Sequence, residues 1–195
     1  MDINKVLKKQ KKSYIRFMLS MGFIFLLLPI TLWFTKQFNS FFLIYLIIIE
    51  ILIIVIMIMR YNEEYLKFEL INDKIIISMI GGRSKYKFTY SKVAIVHTLP
   101  QTNDDFDILI VTKSNFRNKK MRVLTKKALE KYLDIEKHYR KISTPTDGAY
   151  YYFVVRRGKA KKYILLDLLY KYAVSAIFTE SAVNNIKEYR KLNSI

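Results

Sequence analysis

Two runs of sequence decide the fold: FMLSMGFIFLLLPITLWF (Phe17–Phe34) and FFLIYLIIIEILIIVIMIM (Phe41–Met59), joined by Thr35–Ser40. The first has 18 residues and no charge. As a helix it spans ~27 Å at 1.5 Å per residue, close to the hydrocarbon thickness of a bilayer. The second has 19 residues and a single charge, Glu50, at its centre. Neither run shows the polar face that a helix on a soluble core turns to water. Residues 17–60 are therefore expected to form a transmembrane helical hairpin.

Moving outward, residues 1–16 carry Lys5, Lys8, Lys9, Lys11, Lys12 and Arg16 against Asp2, whereas the connecting loop holds only Lys36. Arg60 follows the second run. The positive-inside rule then places this basic N-terminus and residues 61–195 on the cytoplasmic side of a multi-pass cell-membrane protein. Trp33, Phe34, Phe38, Phe41 and Phe42 stand where an interfacial aromatic belt would lie. A cleaved signal peptide does not fit, because the apolar run is too long, lacks a small-residue cleavage motif and is followed at once by a second run.

Glu50 is the sole charged residue inside either run. At the bilayer midpoint an acidic side chain costs about 2.5 to 3.5 kcal/mol. Ser20 and Thr31 of the first run lie away from the centre in opposite directions, so the hairpin offers no obvious polar partner. Glu50 is thus the intramembrane candidate for function or assembly, carried neutral or paired with another copy or another subunit. The plainer reading is a lone acid tolerated because the surrounding Ile and Leu drive insertion.

Of the 34 basic and 16 acidic residues, eight and two lie in the first 60; residues 61–195 keep 26 against 14, a net charge of +12. This part reads as one charged domain large enough to bury its own core. A cationic domain tethered to a bilayer points to anionic headgroups, with nucleic acid the less favoured polyanion. The chain has no cysteine, which removes disulfide and thiolate chemistry and fits a cytoplasmic domain.

After Arg60 the pattern becomes short β-like runs: 65–71, the turn Asn72-Asp73, 74–80, the turn 81–84, 85–90, 93–99, 106–113 and 121–124. Such spacing predicts an antiparallel sheet closing as a small barrel or sandwich. Residues 125–141 show a helical pattern in which Leu129, Tyr132, Leu133 and Tyr139 share a face, while Lys126, Lys127, Lys131 and their charged neighbours cover the other. Residues 150–155 and 163–169 are strand candidates, with 165–178 ambiguous between strand and helix. A closing amphipathic helix is expected near 181–192.

Basic residues gather at three turns: Arg83, Lys85 and Lys87; Lys113, Arg117, Lys119, Lys120 and Arg122; and Arg156, Arg157, Lys159, Lys161 and Lys162. If alternate tips meet at one end, they form a cationic rim for anionic surfaces; the plainer reading is charges that keep sheet edges unpaired. Chemistry is poorly represented. His97 and His138 lack acidic neighbours at ligand spacing, Gly81-Gly82 lacks the form of a phosphate loop, and Asp104, Asp105 and Asp107 read as a solvated loop before a cation site. Neither a metal nor a cofactor is expected, and no catalytic residue is assigned.

Tyr86-Lys-Phe-Thr-Tyr-Ser-Lys-Val-Ala-Ile95 and Arg122-Val-Leu-Thr-Lys-Lys-Ala128 resemble segments of bacterial two-span membrane proteins with a cytoplasmic pleckstrin-homology-like domain, over most of residues 14–141. The resemblance implies a non-enzymatic interaction module that binds a protein partner or anionic headgroups, as a homo-oligomer or a subunit of a membrane complex. It also implies accessory or self-protection roles against membrane-active peptides. A sensor-effector whose β-domain binds a small anionic ligand is the alternative of a different class. Inositol lipids are not implied, since Asn72-Asp73 fills the hairpin loop where basic residues would stand.

Overall fold

The computed structural model describes residues 3–36, 39–101, 105–115, 118, 120–142 and 148–193. Its first helix, α1 (Ile3–Thr35), runs unbroken from the basic segment into the apolar run. No glycine or proline precedes Gly22, and Lys, Leu and Gln favour continued helix. Helix α2 (Ser40–Glu64) returns antiparallel. By length and composition both helices are long and apolar enough to cross a membrane, and 0% and 6% of their most apolar stretches are buried within the protein. On α2 the shielded positions Leu46, Ile49, Glu50, Ile53, Met57, Arg60 and Glu64 fall on one stripe at heptad spacing, with Asn62 shielded beside it. They form the seam that faces α1.

Three strands follow as a meander: β1 (Leu66–Ile71), β2 (Lys74–Met79) and β3 (Ser84–Thr89). Asn72, at φ +54°, makes the first turn, and Ile80, Gly81 and Gly82 make the second, all with positive φ. A 3-10 turn at Tyr90–Lys92 carries the chain to a second sheet of β4 (Val93–Pro100), β5 (Phe106–Thr112), β6 (Arg122–Val123), β7 (Tyr151–Val155) and β8 (Ile177–Phe178), in the order β6-β7-β5-β4-β8. All pairs are antiparallel except β4 with β8. Helices α3 (Lys126–Lys131) and α4 (Leu133–Ile142) lie between β6 and β7; α5 (Lys161–Tyr172) follows β7, and α6 (Glu180–Asn193) ends the chain.

The architecture is α+β, and three expectations are corrected. The strands do not close into a barrel: they stay as sheets of three and five, because the turn at 90–92 redirects the chain instead of pairing β3 with β4. Residues 163–169 are helix, not strand; Leu165, Leu166 and Leu169, at i, i+1 and i+4, fall on one helical face and are all fully buried. The helix over 125–141 breaks at Tyr132, whose φ −126° and ψ 74° leave the helical region. That break exposes Leu133 and turns Ile135 inward instead.

Strand β5 is buried along its whole length. Ile108 and Ile110 pack with β2, β3, α5 and α6, while Leu109 and Val111 pack under α4 with Leu124, Ile135 and Tyr150. Its continuous apolar run reflects two covered faces.

Candidate anion-binding groove

Where the two sheets and α3 meet there is an open groove of about 650 Å³. Six cations line it: Lys120, Arg122, Lys127, Lys131, Arg156 and Arg157. Among the described lining residues there is no carboxylate and no imidazole; of the six cations Arg156 is countered from beneath by Asp107. The aromatic side chains of Tyr86, Tyr132, Tyr152 and Phe153 lie between the cations. Tyr86 stacks on Phe153 with centroids 4.4 Å apart and planes within 8°. Burial pushes the Tyr86 hydroxyl above its ordinary range, against the opposing pull of Arg122.

Each wall has a local cause. Met79 pairs with both Leu66 and Ser84, so the β2–β3 turn lies at the end of its sheet nearest α2. Gly81 lies close to Tyr61 of α2, since a Cβ there would come within 3.5 Å of the ring. Gly158, just after Arg157, donates its N–H to the Glu63 carbonyl at 2.9 Å. Both walls are thus anchored on the last turn of α2. The segment before β6 is stitched to β3: Lys120 Nζ donates to the Arg83 carbonyl, and the Asn118 carboxamide exchanges hydrogen bonds with the Lys87 backbone. On α3, Lys127 and Lys131 are one helical turn apart and share the groove-facing side.

The three clusters expected from sequence converge only in part. Lys120, Arg122, Arg156 and Arg157 reach the groove. Arg83 stays exposed on the neighbouring turn, and Lys85 and Lys87 occupy the outward positions of β3. Lys159 pairs with Glu64 at 3.6 Å, and Lys161 is half-buried at the start of α5. Lys162 is no surface cation. It is fully buried, with Nζ 2.7 Å from Asp105 Oδ1 and 3.3 Å from the Arg156 carbonyl, and 5.5 Å from the Phe106 ring centroid. The helical turn of α5 puts Lys162 on the same inward face as Leu165, Leu166 and Leu169. Arg117, Lys119 and Asp104 lie outside the described residues. Lys127 and Lys131 are the groove cations that sequence reasoning did not single out; their i,i+4 spacing was the available signal.

Two other ionisable groups have structural roles. Asp107 is buried beneath the groove with Arg156 Nε 3.7 Å away. Burial raises its pKa, and Lys162 and Arg156 pull it back down. His97 is also buried, its Nδ1 3.0 Å from Thr179 Oγ1 and 3.3 Å from Ser181 Oγ. Burial lowers its pKa, opposed by Asp134 and reinforced by His138. Glu50 lies half-buried on the α1-facing seam.

The chain matches no family model, no curated protein and no solved structure.

Proposed function

We propose that the chain is a membrane-anchored binding module: α1 and α2 cross the bilayer with both ends cytoplasmic, and the groove receives the phosphates of anionic lipid headgroups. One observation carries this reading. Two walls of a groove with six cations and no acid hang from the last turn of α2, beside the point where that span would leave the bilayer. Near an anionic surface each such cation contributes roughly 1 kcal/mol. The exposed Lys5, Lys8, Lys9, Lys11 and Lys12 of α1 add charge on the same side. The module acts by binding, since its lining offers donors and aromatic surface. A small soluble phosphate-bearing ligand is the second reading, favoured by the aromatic side chains between the cations.

The test is native mass spectrometry of the full chain released from bilayers of mixed phosphatidylglycerol and phosphatidylcholine. The parent retains the anionic lipid in excess, and the triple variant Lys127→Gln, Lys131→Gln, Arg157→Gln loses that excess, whereas Lys85→Gln keeps it. Equal retention of both lipids by the parent rules the headgroup out. A soluble phosphate ester that binds the parent under those conditions supports the second reading.

A further inference from the structure

We infer that Glu50 is the latch of the transmembrane hairpin: as the neutral acid it donates a hydrogen bond to the main-chain carbonyl of Phe25, which Pro29 has deprived of its helical donor. The inference rests on the membrane placement proposed above and is independent of what the groove binds. Three observations converge on it.

Pro29 lies inside α1. Proline has no N–H, so the carbonyl four residues earlier, that of Phe25, lacks its i+4 partner. In hydrocarbon that acceptor has no water to turn to, and neighbouring helices commonly supply the missing donor. Glu50, for its part, belongs to the α2 seam that faces α1, with Leu46, Ile53 and Met57 on the same stripe. Its partial burial, between the exposed Ile47 and Ile48 and the exposed Ile51 and Leu52, puts it on the side of α2 turned to α1.

Register supplies the third observation. Gln10 hydrogen-bonds Glu64, and the Arg60 guanidinium lies 5.8 Å from the Phe17 ring centroid. Carried on along two antiparallel helices, these contacts set Glu50 level with Ile24–Leu27, the segment that contains Phe25. A carboxylic acid short of an acceptor thus lies opposite a carbonyl short of a donor, in a medium that penalises both when unpaired. Their pairing fixes the register of the spans and, through the last turn of α2, the height at which the groove hangs. It also leaves the outward stripe of Ile44, Ile47, Ile51, Ile54 and Ile58 wholly apolar against lipid.

The experiment uses the full chain in lipid bilayers. Infrared difference spectra at neutral pH between the parent and Glu50→Gln should show the carbonyl band of a hydrogen-bonded carboxylic acid, present only in the parent. Glu50→Gln, which can still donate, keeps the parent's unfolding temperature. Glu50→Leu lowers it by several degrees in the presence of Pro29 and by much less in the Pro29→Ala background, where the alanine N–H takes the Phe25 carbonyl. Absence of the acid band, or an equal loss from Glu50→Leu in both backgrounds, overturns the latch. Extraction of the parent by alkaline carbonate reads membrane placement separately; if the parent washes off, that placement fails and the latch fails with it.

Discussion

At residue scale the tightest constraint is Gly158, at φ +105°, where a Cβ would come within 2.4 Å of Leu66 Cβ. No L side chain fits there without moving β1 or the β7–α5 junction. Gly158→Ala is expected to cost on the order of 3 kcal/mol in chemical unfolding of the detergent-solubilised chain. Gly82→Ala has a positive φ too, but its nearest obstacle is the Tyr65 hydroxyl at 3.6 Å, so it should cost only about 1 kcal/mol. Equal costs would show that the Leu66 contact constrains nothing. His97 gives a second test. Its folded pKa is depressed, so between that value and the ordinary one near 6.5 the unfolded chain binds more protons, and stability falls as pH drops through this window. His97→Gln should lose the slope; the same slope in parent and variant between pH 7 and pH 5 would assign the acid sensitivity elsewhere. Neither constraint was readable beforehand. Gly158 sits inside what reads as a charged tip, and the burial of His97 depends on Thr179 and Ser181 more than 80 residues away.

Among the elements, the β-strands up to residue 124 were legible because alternation and turn residues are local signals, and Asn72-Asp73 with Gly81-Gly82 mark the turns where they occur. Helix α5 was not. Its segment Tyr163–Leu169 is apolar on several sides because it packs against both sheets and α6, and a doubly covered segment loses the period that tells helix from strand. The groove suffered likewise: its cations come from a turn, a strand, a short helix and a helix junction, which sequence clusters do not bring together. The junction of α1 with the domain makes its own prediction. Gln10 bonds Glu64 and accepts the Ala160 N–H at 3.2 Å, tying the first helix to the second and to the start of α5. Gln10→Ala should free the N-terminal turns of α1 and raise trypsin cleavage after Lys8, Lys9, Lys11 and Lys12 several-fold, leaving cleavage after the exposed Lys171 unchanged. Parallel changes at both places would indicate general unfolding instead.

For the whole molecule, the proposed topology turns on which side the loop at Lys36 faces. Because the chain has no cysteine, single cysteines at Lys36 and Val174 report cleanly; both positions are exposed, Val174 at 87%. On intact cells an impermeant thiol reagent should modify Lys36→Cys and spare Val174→Cys until the membrane is breached. The reverse pattern would invert the protein and move the groove to the outer surface. The domain itself is organised about β5, which joins the core under the three-stranded sheet to the core under α4. The order in which the protein is made adds a last consequence. Gln10 leaves the ribosome well before its partners, which lie 54 and 150 residues further on. On the proposed topology the spans can enter the membrane during synthesis, but the turns of α1 around Gln10 must wait, unseated and with their lysines bare, until Ala160 has been translated.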